Sequence, residues 1–225
     1  MFEQLLHMWK YKIEDNFLEQ RHFDMLCSKI KSIDGIQDHS WKRWVHQIDA
    51  NGKMLYSHGP ILSDGSGLGS GILGDEEVID LFNTYNNRFL KILEEIAPEK
   101  LKTYKSSGIS LIFTGKDKRY PAHTDVSSKI LSTVIYLSPE KNRGTVIADN
   151  KQMKNSTEVE WKQNRAFIFS AGKDTWHSYS SDNINTRLVL AWYMQSVLKK
   201  EKPSAAETGT FFEQKKKGII PKDGY

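Results

Sequence analysis

Cysteine is almost missing from this chain. Among 225 residues only Cys27 occurs, which excludes an internal disulfide and any all-cysteine metal site and fits a reducing compartment. A cytoplasmic location is therefore expected, that of a host cell if the source is a phage. Long apolar runs are missing too. No stretch approaches the roughly 20 apolar residues of a membrane-crossing helix, and mean hydropathy is −0.57. Met1–His7 carries Glu3 early and no uninterrupted apolar stretch, so no secretory signal is read. An excess of one charge is also lacking, since 32 basic residues stand against 28 acidic ones, a formal +4. A pI near 8.9 admits nucleic acid as a partner, but the one three-residue basic run is Lys215-Lys216-Lys217, and the surface reads as mixed. Apolar residues make up 38%, enough for one core without surplus apolar surface. A soluble enzyme or binding domain without a membrane role remains.

Helical texture comes first along the chain and strand texture second. Phe17, Leu18, Phe23, Leu26, Ile30 and Ile33 recur at a loose helical period over 17–33. Residues 34–60 read as irregular, with Trp41 and Trp44 as packing anchors and Asn51-Gly52 as a turn. Asp64 to Gly71 reads as a glycine loop. Asp75-Glu76-Glu77 then supplies first-turn carboxylates suited to a helix dipole. Val78, Ile79, Phe82, Tyr85, Phe89, Ile92, Leu93 and Ile96 mark one helix face, ended by Pro98. Short strand-like segments follow at 109–113, 129–138, 145–147, 157–161, 166–169 and 187–193. Their spacing predicts antiparallel sheets in a sandwich or barrel. One domain over 1–198 is expected, a mainly helical bracing part (1–103) before a β core (104–198), with 199–225 a polar C-terminal extension.

Gly69-Ser70-Gly71-Ile72-Leu73-Gly74 matches GxGxxG and opens a helix. A dinucleotide fingerprint also needs a buried strand directly before it, which Asp64-Gly65-Ser66-Gly67 cannot form, so the reading is a loop. Histidine carries more information. Of seven histidines, His7, His39, His46 and His58 have no partner at a meaningful spacing, and two open an HxD triplet. On a helix, positions i and i+2 point about 200° apart, so His22 of His22-Phe23-Asp24 reads as a helix-surface residue. On a strand, i and i+2 share a face, so His123 and Asp125 can aim at one point. His177, just after the 165–170 strand, is the further histidine in the β core. Two histidines and one carboxylate form the facial triad of non-heme Fe(II) oxygenases, which leaves positions open on the metal. The alternative is that His177 caps a strand end and Asp125 a turn.

Arg187 begins the most apolar strand segment, ten residues after His177. Its same-face neighbours Val189, Ala191 and Tyr193 offer no carboxylate, and a buried guanidinium without one is costly. An exogenous carboxylate would satisfy it; the alternative is an arginine at the strand mouth that reaches solvent or Asp182.

In this order, His123-x-Asp125, His177 and then Arg187, the chain resembles the 2-oxoglutarate/Fe(II)-dependent oxygenase superfamily. Within it, the chain is most similar to the prolyl-4-hydroxylase-like group with its small bacterial and phage members. The resemblance runs from about Tyr104 to Gln195 and takes in Tyr120-Pro121-Ala122-His123-Thr124-Asp125, Lys129–Ser138, Gly144-Thr145 and Phe167-Ile168-Phe169. It implies a mainly β fold with bracing helices (α+β). The core would be a double-stranded β-helix (jelly roll, cupin-like), with the N-terminal helices packed on the larger sheet. It implies a 2-oxoglutarate- and O2-dependent hydroxylase or dioxygenase. Decarboxylation of 2-oxoglutarate to succinate would be coupled to hydroxylation of a substrate C–H bond, on a prolyl or other protein side chain.

Carried over by the resemblance, His123, Asp125 and His177 would bind Fe(II). Arg187 would hold the distal carboxylate of 2-oxoglutarate with the Tyr136 hydroxyl, although Tyr136 also reads as a core aromatic. Ascorbate would be an accessory reductant. Trp176, Tyr179, Tyr120 and Trp192 are candidate contacts near the iron. Val189 departs from the serine or threonine that many relatives place two residues after the arginine, and Arg143-Gly144 from the paired glycine of some prolyl hydroxylases. The substrate stays open between a protein or peptide, a nucleotide and a small molecule. Two other classes stay open: a cupin-like metal-binding protein without oxygenase activity, and a nucleic-acid-binding or nucleic-acid-modifying module.

Overall fold

Strands follow the predicted spacing and outnumber helices. A computed structural model describes residues 9–31, 45–48, 54–63, 67–68, 73–116, 118–182 and 184–196. Trp41, Trp44, most of the glycine loop, the triple lysine and the 199–225 extension lie outside the described residues. In chain order come β1 (Tyr11–Glu14), α1 (Gln20–Lys31), β2 (Val45–Ile48), β3 (Met54–Ser63), β4 (Gly67–Leu68), α2 (Asp75–Ile96) and the single turn α3 (Pro98–Leu101). The β core adds β5 (Ser106–Thr114), β6 (Arg119–His123), β7 (Lys129–Ser138), β8 (Thr145–Ala148), β9 (Thr157–Val159), β10 (Ala166–Phe169), β11 (Trp176–Ser180) and β12 (Arg187–Gln195). Among the described residues the strand pairings are all antiparallel. The larger sheet runs β1-β10-β7-β12-β5-β3-β2, with β4 also on β3, and the smaller runs β6-β11-β8-β9.

Alternation along the central strands sorts side chains into two layers. From β12, Leu188, Leu190, Trp192 and Met194 join Leu131, Ile135 and Leu137 of β7 in one buried cluster with Leu81, Tyr85, Phe89 and Leu93 of α2. Trp192 packs against Phe89 at 4.7 Å between ring centroids and against Phe82 at 6.1 Å. The opposite faces of these strands look toward the smaller sheet, where Tyr136, Phe167, Phe169 and Val189 pack with Trp9, Ile147, Val159 and Trp161. The helices thus brace the larger sheet from outside, and the second layer lines the space between the sheets. Gly144 makes that layer close: a Cβ there would stand 1.7 Å from the Val159 carbonyl oxygen, so only glycine lets β8 approach β9.

Several expectations change. Residues 34–60 contain β2 and most of β3, which pairs with β5; Gly59-Pro60 and the register shift between Pro60 and Leu62 hide the strand from a propensity reading. The helical face of α2 is set by Val78, Leu81, Tyr85 and Phe89, while Ile79 is exposed. The helix ends at Ile96, before Pro98, and begins with Glu77 accepting the Gly74 N–H at 2.7 Å. His22 is not a helix-surface residue. It is buried, with Nδ1 2.9 Å from the Tyr85 hydroxyl and Nε2 2.9 Å from an Asp80 oxygen. His22 and Asp24 do diverge on α1, but α2 supplies the partners.

Candidate metal centre

The smaller sheet brings the two histidines together. His123 ends β6 and stands directly opposite His177 of β11, with ring centroids 4.2 Å apart. His177 therefore lies within a strand of its own and not at the end of the preceding one. Asp125 is past the end of β6, so alternation within one strand does not aim it. Two groups of β7 do: Lys129 Nζ donates to Oδ1 at 2.7 Å and Ser132 Oγ to Oδ2 at 2.6 Å. One ligand atom each from His123, Asp125 and His177 lies within 4.8 Å of the others. Ligands at about 2.1 Å from a metal sit about 3 Å apart when adjacent, a gap that small side-chain rotations close.

Local bonds prepare the imidazoles. Nδ1 of His123 is 3.0 Å from the Pro121 carbonyl, and Nδ1 of His177 is 3.0 Å from the Thr175 carbonyl. A carbonyl only accepts, so each Nδ1 holds the proton and each Nε2 lone pair is left for a metal. Burial, then the neighbouring His177, lowers the His123 pKa to about 3. Burial likewise lowers that of His177. Both rings are neutral at pH 7, the ligating form. Burial would raise the Asp125 carboxyl, but Lys129, His177 and His123 outweigh it and hold the group below the usual carboxylate range. Two neutral nitrogens and one carboxylate, with no thiolate, suit a divalent ion such as Fe(II) with positions left open.

Arg187 is the second feature. It is 1% exposed, and Nη2 donates to Thr145 Oγ1 at 3.4 Å. Nε and Nη1 have no hydrogen-bond partner, and among the described residues no carboxylate pairs with the guanidinium. It reaches neither solvent nor Asp182, whose Oδ1 accepts the N–H groups of Ile184 and Asn185. Aromatic rings surround it: Tyr179 at 4.7 Å, Trp161 at 5.5 Å and Tyr136 at 5.6 Å. Burial pulls its pKa down, against Tyr136, Tyr179 and Glu158. Glu158 itself is taken by Arg143 and the Gly144 N–H.

Tyr136 is fully buried beside Arg187; its oxygen accepts the Thr145 N–H at 2.9 Å and lies 3.1 Å from Thr145 Oγ1. Tyr120 stacks on Tyr179 at 5.3 Å and meets His123 edge-on at 4.5 Å. These two tyrosines bridge the histidines and the guanidinium. Trp176 is half-buried, and alternation turns it to the face opposite His177. Trp192 is not near the triad: it faces the helices. The roles of Lys129, Ser132, Thr145 and Trp161 are not legible in the sequence because they exist only across strands; the four-residue step from Asp125 to Lys129 is the one local signal.

No family model matches the chain, and no curated protein matches it. Solved structures do. A prolyl-4-hydroxylase from Pseudomonas putida is 12% identical with a TM-score of 0.58, over 84% of this chain and 95% of that one. A prolyl hydroxylase from Trichoplax adhaerens, in complex with a hypoxia-inducible-factor peptide fragment, is 11% identical with a TM-score of 0.59, over 85% and 86%. The viral collagen prolyl hydroxylase of Paramecium Bursaria Chlorella virus-1, as its 2-oxoglutarate complex, is 13% identical with a TM-score of 0.51, over 84% and 97%. The chain is therefore built on the double-stranded β-helix fold that prolyl hydroxylases and other 2OG-Fe(II) oxygenases share.

Proposed function

We propose that the protein is a 2-oxoglutarate- and O2-dependent Fe(II) hydroxylase. The observation that carries this is the buried, carboxylate-free guanidinium of Arg187 beside a His–Asp–His cluster. His123 and His177 would hold iron through Nε2, and Asp125 through its carboxylate. Tyr179, whose ring covers Arg187, lies two residues along β11 from His177, about 7 Å of strand. That interval suits a short dicarboxylate with one end at the metal and the other at Arg187. Tyr136, held at the Thr145–Arg187 contact, borders the same distal carboxylate.

Bound Fe(II) and 2-oxoglutarate supply the O2 chemistry that couples decarboxylation to succinate with hydroxylation of a substrate C–H bond, and ascorbate serves as an accessory reductant. The chain supplies orientation. Pro121 and Thr175 set both imidazole tautomers, Ser132 and Lys129 aim Asp125, and the packed aromatics around Arg187 exclude water from its charge. A prolyl or other protein side chain is the proposed substrate, supported by the peptide bound to the Trichoplax enzyme with which this chain shares its fold. The test replaces His123 or Asp125 with alanine and follows succinate formation; unchanged turnover would sink the assignment. Anaerobic Fe(II) plus 2-oxoglutarate should give a visible charge-transfer band, and its absence would leave a metal-binding protein without oxygenase activity.

A further inference from the structure

Arg187 is not the only residue with an unpaired buried donor on its face of the larger sheet. Thr114 of β5 is fully buried, and its Oγ1 makes no hydrogen bond. The register places Thr114 directly opposite Arg187 of β12, so both side chains leave the sheet on one side, with Cβ atoms about 5 Å apart. A buried hydroxyl without a partner lowers stability. Here one stands on the strand position opposite Arg187, whose guanidinium has two unused nitrogens.

We propose that Thr114 is a cosubstrate-binding, specificity-determining residue whose hydroxyl donates to the distal carboxylate that Arg187 holds. The inference rests on the reading of Arg187 as the site of that carboxylate. A carboxylate only accepts and offers about four lone-pair sites, so one group satisfies Nε, Nη1 and the hydroxyl together. A second unpaired hydroxyl of this sheet shows why position matters. Thr133 Oγ1 is equally buried and unpaired, but alternation along β7 turns Thr133 to the helix side, beside Trp192, where nothing calls for an anion. Thr133 is a packing cost; Thr114 leaves the sheet on the same side as Arg187.

Thr114→Val and Thr133→Val in the full chain separate these roles. Without metal or ligand, both variants should melt about 3 °C higher, because each removes a buried hydroxyl that has no partner. Calorimetric titration of the Mn(II)-loaded protein with 2-oxoglutarate should then show a dissociation constant about ten- to a hundredfold weaker for Thr114→Val alone. Thr114→Ser should restore it. Pyruvate, which lacks the distal carboxylate, should bind wild type and Thr114→Val alike; should Thr114→Val not fold, Thr114→Ala carries the same titrations. A variant without the hydroxyl that binds 2-oxoglutarate as wild type does, or that weakens pyruvate equally, overturns the inference and leaves the assignment of Arg187 standing. Failure of the wild-type protein to bind 2-oxoglutarate removes both.

Discussion

Replacing Arg187 with methionine separates a structural arginine from one kept for a ligand. Arg187 is 1% exposed, and its hydrogen bond to Thr145 is long, at 3.4 Å. Taking a cation out of water without a counter-charge costs several kcal/mol. The three rings around it return about 2–3 kcal/mol in all, at roughly 1 kcal/mol each when desolvated. Desolvation wins, so the ligand-free protein holds Arg187 at a net cost of about 2 kcal/mol. Methionine matches the stem in length, keeps the aromatic packing and removes the charge. Arg187→Met should therefore raise the melting temperature of the ligand-free protein by about 4–8 °C, at 2–4 °C per kcal/mol for a chain of this size. Ligand binding should move the other way. A carboxylate paired with this guanidinium in a dry pocket is worth about 3–5 kcal/mol, so the affinity for 2-oxoglutarate should fall by about two to four powers of ten. Thermal melts of the Zn(II)-loaded protein with and without excess 2-oxoglutarate check both signs. The wild type should be stabilised by the ligand in proportion to its logarithmic excess, and the variant should not. A variant that melts lower than wild type and keeps the ligand-induced shift would refute the reasoning and make Arg187 a core residue.

Other outcomes follow from the same geometry. Ser132→Ala removes the 2.6 Å bond that aims Asp125, and metal affinity measured against a chromophoric chelator should fall about tenfold with the fold intact. Phe89→Ala empties a fully buried position against Trp192; denaturant unfolding should show a loss of about 3–5 kcal/mol. Arg165 first, and then Lys162, hold the Asp15 carboxyl below its ordinary range. A depressed folded pKa stabilises above the unfolded value and is lost as pH falls, so stability should drop below about pH 4. Asp15→Asn should flatten that limb, by no more than about 1 kcal/mol for a group this exposed, as melts from pH 7 to pH 3 would show.

Legibility in the sequence followed the range of the forces involved. Strands 129–138, 166–169 and 187–193 announce themselves because β-branched and apolar residues act within the segment, and the last runs on to Gln195. Helix 75–96 does so because its period and first-turn acids are local. β3 was illegible because Gly59-Pro60 breaks the propensity while pairing with β5 holds the strand. Of the site, the triad and Arg187 were readable as residue types in an order. The aim of Asp125 was not, because Lys129 and Ser132 act from the next strand. Nor was the environment of Arg187, which comes from Tyr136, Trp161 and Tyr179 on three separate stretches of chain. His22 failed for the same reason: its partners sit 58 and 63 residues away on α2.

This difference in range also accounts for a fold shared at 11–13% identity. The helix-facing cluster asks only for apolar residues of suitable total volume at alternating positions, and such cores tolerate extensive exchange. The site is stricter, but it asks little of the sequence: two histidines opposite each other on neighbouring strands, a carboxylate two residues on, and a cation entering the strand behind them. Even the imidazole tautomers are set by backbone carbonyls, of Pro121 and Thr175, which any residue could present. Side-chain identity is thus demanded at a few positions. The remaining positions are free to diverge, which is how one fold persists where most of the sequence does not.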